Sequence, residues 1–182
     1  HGKHVCIGTN HLCSKAQKMA THKIRNGELG GITHIDTFFS YDLKGIFGRQ
    51  VLANPDHWIA KLPGQIFQNN LNHSLAPILP YLSDNYTVQS WADAWSDNGV
   101  VFEELRVFIV DNDNQFTANV VFSSNVKPAA FRIVYYGRKK ALFLNNYNHT
   151  MIEDVPTAVP GTLGQILAIR KSAKALLAQF RR

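Results

Sequence analysis

Residues 101–123 read VFEELRVFIV, then DNDN, then QFTANVVFS. Two runs rich in β-branched and aromatic residues flank four short polar side chains, which bond their own backbone and tolerate tight turns. Val101 to Val110 and Gln115 to Ser123 are therefore predicted as strands, joined at Asp111-Asn112-Asp113-Asn114. So short a connection makes them antiparallel. The same rhythm extends both ways. Tyr86 to Trp95 precedes across Asp97-Asn98-Gly99, a strong turn signal, and Ala130 to Tyr136 and Lys139 to Leu144 follow.

Upstream the pattern differs. Val5 to Ile7 is a short apolar run, expected as a strand. Ser14 to Asn26 holds helix-forming residues, with Ser14 placed as N-cap and Gly27 as C-cap. Ile32 to Tyr41 alternates and is predicted as a strand. From Asp42 to Leu62 no period is sustained, and Gly45, Gly48, Pro55 and Pro63 interrupt it, so a long irregular connection is expected. Between Gly64 and Leu82, residues Leu71, Leu75, Ile78 and Leu82 form an apolar stripe at helical spacing, with Pro77 bending or restarting the helix. After a Pro-containing loop, Ile166, Ile169, Ala173, Leu176 and Phe180 mark a closing amphipathic helix. The predicted class is α+β: an open, mostly antiparallel β-sheet with helices packed on one face. Trp91, Trp95, Phe102, Phe108, Phe116, Phe122, Phe131 and Tyr135 supply more aromatic surface than one layer of helices covers easily. Either the second face packs on another subunit, making a homo-oligomer, or these rings all enter one core.

The 182 residues, 45% hydrophobic and 18% charged, suit one packed domain and argue against disorder. No run approaches the ~20 apolar residues of a membrane span, and no signal peptide pattern opens the chain, so a soluble, cytoplasmic protein is expected. Cys6 and Cys13 are expected as free thiols. His1, His4, His11 and Cys13 match no ligand spacing, and no metal is expected. The net charge of +6 is local: Arg170, Lys171, Lys174, Arg181 and Arg182 follow the last acidic residue, leaving fourteen cations against thirteen acids elsewhere. A basic final turn complements the helix dipole, so nucleic acid is not the expected partner. The sequons at Asn72, Asn85 and Asn148 carry no information without a secretory signal.

Several passages resemble the C-terminal half of the Gfo/Idh/MocA oxidoreductases, the group of glucose-fructose oxidoreductase and inositol dehydrogenase. Asn26-Gly27-Glu28-Leu29-Gly30 before an aromatic strand is one. His57-Trp58, then Leu62-Pro63-Gly64-Gln65 and the helix through Asn69 and His73, is the most specific. Val134-Tyr135-Tyr136-Gly137-Arg138-Lys139-Lys140-Ala141 is a third, with Lys140 where the family usually has glycine. The order of elements is similar over nearly the whole chain.

The resemblance implies a single C-terminal substrate-binding and oligomerisation domain over residues 1–182, without the N-terminal Rossmann domain that carries the dinucleotide turn and a Glu-Lys-Pro lysine. No Gly-x-Gly-x-x-Gly is present; Gly27, Gly30 and Gly31 precede a strand. It implies an NAD(P)-dependent dehydrogenase acting on a sugar or polyol hydroxyl, with NAD or NADP bound mainly elsewhere, so that this chain alone should be inactive. By resemblance His73 does the acid-base work. Asn69, four residues earlier, shares its helical face but stands where the family usually has aspartate, and a neutral amide only orients. Lys44, Arg49, His57 and Trp58 combine cations with an aromatic platform and are the expected substrate contacts. The alternative is a non-catalytic binding or assembly module that retains the same fold.

Overall fold

The computed structural model describes residues 9–94 and 102–180. The predicted strand at Val5 to Ile7, Trp95 and the turn at 97–99 lie outside them. Seven strands form one open sheet: β1 (Ile32–Ser40), β2 (Tyr86–Asp93), β3 (Glu104–Asp111), β4 (Phe116–Ser123), β5 (Phe131–Gly137), β6 (Ala141–Asn145) and β7 (Thr150–Asp154). Their order is β2-β3-β4-β1-β5-β6-β7, so β1 sits at the centre, parallel to β4 and antiparallel to β5. All other pairs are antiparallel. The DNDN turn works because Asp111 accepts from the Asn114 backbone N–H at 2.7 Å and from Ser83 Oγ at 3.0 Å.

Alternation decides the faces. Ile35, Thr37 and Phe39 pair with Ala118, Val120 and Phe122 on one side and with Tyr135, Ile133 and Phe131 on the other. All nine are buried beneath the helices α1 (Lys15–Arg25), α2 (Ile46–Ala53) and α3 (Gln65–Leu75). The aromatic side chains therefore divide. Phe116, Phe122, Phe131 and Tyr135 enter this core, while Trp91 (47% exposed) and Phe108 (42%) stand on the opposite, open face with Phe143.

Two of the resembling passages pack on each other. The turn after α1 holds Gly27 and Gly30 at φ +71° and +72°, a conformation that costs glycine little. It receives the Lys139 N–H at Leu29 O (2.9 Å) and the Arg138 N–H at Gly31 O (3.2 Å). A Cβ on Gly137 would lie 2.5 Å from Leu29, so the β5–β6 turn approaches this closely only with glycine there. Lys140 then bonds Glu28 and Glu153, each at 2.7 Å. Lys140 thus locks the turn to β7.

Four expectations change. The segment 42–62 is not wholly irregular: α2 lies inside it, with Gly48 packed against the Leu43 backbone where a side chain would not fit. The predicted helix over 64–82 stops at Leu75, and a single 3-10 turn, Leu79–Tyr81, follows Pro77. β7 was not predicted. The closing helix α4 (Gly161–Phe180) exists, but its expected stripe does not face the fold: Ile166 and Ile169 are 55% and 69% exposed. Gly164, Ala168 and Ser172, small enough for close approach, lie inward instead, and Gln179 reaches β7.

Candidate active site

Helix α3 lies across β1 and β4. Its most buried side chains are Phe67, Asn70 and Ser74. At ~100° per residue, Leu71 and Leu75 fall on one flank of that line, and His73, with Asn69 beyond it, on the other. The leucines join the rim of the core and line an apolar groove of about 330 Å³ against β2 and β3. Asn69 and His73 are both half-buried and lie outside that groove. They form a polar ridge at the end of the sheet where β1 and β5 meet, since the His73 ring packs at 5.6 Å on Phe39.

His73 meets a second imidazole. His11, on the 3-10 turn Asn10–Cys13 before α1, stands edge-on to His73 at 5.0 Å and to Phe131 at 4.9 Å. Burial pushes the His73 pKa below that of an ordinary imidazole, and the nearby His11 charge pushes the same way. His73 Nδ1 is buried without a hydrogen-bond partner. A neutral imidazole held at low pKa is ready to take a proton at neutral pH.

The expected substrate contacts occupy the neighbouring segment. His57 stacks on Trp58 (5.9 Å, 30°) and meets Phe47 of α2 edge-on at 5.9 Å, and Phe47 in turn meets Tyr41 at 6.4 Å. A chain of rings thus runs from the exposed Trp58 to the last residues of β1. His57 Nδ1 also accepts the Ile59 backbone N–H at 3.3 Å, which fixes that ring. Lys44 and Arg49 are exposed on the same segment, and no ring contact or ion pair among the described residues ties them to His73.

Sequence reasoning did not single out residues from elsewhere in the chain that lie near the end of β1. Tyr147 Oη donates to Ser40 O at 3.4 Å, beside Tyr41, and both phenols are pushed above their ordinary pKa, foremost by burial. His149 follows on the β6–β7 turn at φ +53°. These residues belong to no periodic pattern; the only available signal was the clustering of His and Tyr in short connections. Gly27, Gly30 and Gly31 are occupied in packing the turn before β1 on the β5–β6 turn and open no helix, so they form no phosphate cradle. Cys13 is an exposed free thiol. Among the described residues no group of three or more His, Cys, Asp or Glu is placed to hold a metal ion. Nor is any helix among them long and apolar enough to cross a membrane.

Solved structures share this architecture. An oxidoreductase from Desulfitobacterium hafniense superposes with a TM-score of 0.64 at 18% identity, over 82% of this chain and 45% of that one. An inositol dehydrogenase homologue from Azotobacter vinelandii, solved with NADH and myo-inositol, gives 0.60 at 12% identity, over 82% and 39%. Levoglucosan dehydrogenase, solved with NADH and L-sorbose, gives 0.62 at 14%, over 85% and 47%. The chain has their fold. It spans less than half the length of these three proteins, and at such identities the likeness concerns architecture alone. No protein-family model matches the sequence, and no curated protein matches it significantly.

Proposed function

We propose that this chain is the substrate-binding and proton-transfer half of an NAD(P)-dependent dehydrogenase acting on a sugar or polyol hydroxyl. The observation that carries the reading is the Asn69–His73 ridge: an imidazole kept neutral, half-open at the end of β1 and β5, in a fold shared with dehydrogenases of such compounds. Alcohol oxidation needs a base for the hydroxyl proton while hydride leaves the same carbon. His73 takes that proton and Asn69 orients the hydroxyl. Trp58, His57, Lys44 and Arg49 hold the hydroxylated body of the substrate. The nicotinamide cofactor, NAD or NADP, would supply the hydride acceptor and be bound mainly by a Rossmann domain outside these residues, since the sequence holds no Gly-x-Gly-x-x-Gly turn for its pyrophosphate. The aromatic open face of the sheet packs on a second copy in a homo-oligomer.

The test assays the full-length protein and its His73→Ala variant over a panel of polyols and sugars. A loss of about 10²–10⁴-fold in turnover is expected for removal of a general base; equal rates would remove His73 from the chemistry.

Asn69 favours a second reading, a non-catalytic binding or assembly module, because an amide cannot stabilise an imidazolium as a carboxylate does. The upstream coding sequence separates the two. A Gly-rich fingerprint and a Glu-Lys-Pro motif there go with the enzyme, and their absence goes with the module.

A further inference from the structure

Catalytic imidazoles are commonly steadied by a carboxylate, yet the group in contact with His73 is another imidazole. His11 stands 5.0 Å away at 86°, on an apolar floor made by Phe39 and Phe131. Its position is set by local structure. The turn that carries it ends at Ser14, whose N–H bonds His11 O at 3.1 Å and whose Oγ caps α1 by accepting from the Gln17 N–H. Ser14 also faces Asn146, anchored in turn by its own N–H to Phe131 O at 2.9 Å. The turn is thereby held against the end of β5 and the β6–β7 connection, which presents His149.

Facing His73 are His11 from the turn, Phe39 from β1 and, through His11, Phe131 from β5. Among the described groups the charge of His11 acts on His73 and that of His149 on His11, and the action between His11 and His73 is mutual. Among the described residues no carboxylate bonds either ring. Two imidazoles so close, over an apolar floor, accommodate one proton between them far more readily than two.

We propose that His11 and His73 form a one-proton couple, with His11 as the positioning residue for proton transfer at His73. The proposal rests on the dehydrogenase reading for the origin of the proton. The substrate O–H bond breaks as an N–H bond forms on His73, and hydride passes from carbon to the nicotinamide. The proton is then shared between His73 and His11 and passes to water, which returns the pair to neutrality. Without a carboxylate at position 69, the second imidazole takes over the spreading of charge.

The couple can be tested on this chain without any turnover. Long-range ¹H–¹⁵N spectra of the imidazoles are recorded from pH 4 to 9 in the wild type, His11→Phe, His11→Gln and His149→Gln, with circular dichroism checking the fold of each. In the wild type the His11 and His73 resonances should both move in each of two titration steps. In either His11 variant the His73 curve should collapse to one step with its midpoint shifted upward. His149→Gln should raise the His11 midpoint more than that of His73. A single His73 step that is unchanged when His11 is replaced would overturn the proposal, because a ring that only packs leaves that curve in place. In the full-length protein, His11→Gln should also displace the acid limb of the rate–pH profile. Coupled titration without nicotinamide reduction would retain the couple and discard the dehydrogenase reading, whereas activity without coupled titration would do the reverse.

Discussion

Tyr135 shows how one side chain fastens three elements. Its ring is fully buried, its Oη accepts from Gln17 Nε2 of α1 at 2.7 Å, and it donates to Pro77 O, just past α3, at 3.3 Å. Burial raises its phenol far above the ordinary range, so it works as a neutral bridge. Tyr135→Phe keeps the shape but strips Gln17 and Pro77 of a partner, and should cost about 1–3 kcal/mol in urea denaturation. Lys140, with only 12% of its side chain exposed, is the comparable ionic fastener. Burial alone would raise the Glu153 carboxyl, but the bonds from Lys140 and Lys23 outweigh it and the net shift is downward. The bond from Lys140 lowers Glu28 most, with Lys23 adding to it. Folded carboxyls below their unfolded values add stability that is full at neutral pH and drains away as pH falls through and below the ordinary carboxylate range near 4.5. Lys140→Met should therefore flatten the acid limb of a stability–pH curve while costing roughly 1–3 kcal/mol at pH 7. A variant with an unchanged acid limb would contradict this account.

Among the elements, α4 is held by an unusual contact. Among the described residues the outer edge of β7 has no strand partner, and the Gln179 side chain supplies one: its Oε1 accepts the Met151 N–H at 2.9 Å and its Nε2 donates to Met151 O at 2.7 Å. Exposed sheet edges invite foreign strands, and a helix side chain here fills that vacancy. Gln179→Leu should free the Met151 amide, raising its hydrogen exchange about tenfold, as loss of roughly one hydrogen bond would. The contact also explains what sequence could and could not reveal. The strands from Tyr86 to Leu144 were legible because Asp/Asn turns separate β-branched runs. β7 was not, because five residues with Thr150, Glu153 and Asp154 among them show no alternation. α4 was legible as a helix but not in its orientation, since periodicity marks an apolar stripe, whereas close approach to an edge selects Gly164 and Ala168. α2 was hidden by Gly48, which reads as a breaker and is in fact a packing requirement. At the candidate site, only the family resemblance singled out His73, and nothing joined His11 to it, because their meeting is made by the closure of the sheet and not by any local pattern.

For the whole molecule, the two faces of the sheet follow different rules. The covered face is mostly apolar, with the hydroxyls of Thr37 and Tyr135 hydrogen-bonded within it, whereas the open face sets Trp91, Phe108 and Phe143 around a polar centre. There His34 bridges Thr117 Oγ1 at 2.6 Å and Asp36 Oδ1 at 2.8 Å, and Asn119 donates to the same carboxylate at 2.9 Å. Such a network, exposed beside aromatic rings, suits an interface that needs a fixed register. If a second copy covers it, sedimentation should show concentration-dependent association that Phe108→Lys weakens at least tenfold, with the monomer's circular dichroism unchanged. Association indifferent to that change would place the contact elsewhere.

The central position of β1 has a consequence for synthesis. As the ribosome delivers the chain, β1 emerges well before its two neighbours, β4 and β5, which are encoded far downstream of it. The β2–β3–β4 meander can form on its own hairpins in the meantime, while an apolar strand carrying Ile35 and Phe39 waits for it. The nascent polypeptide thus passes through an interval in which the apolar face of its central strand has no partner, and chaperone engagement should peak before Phe116 leaves the exit tunnel.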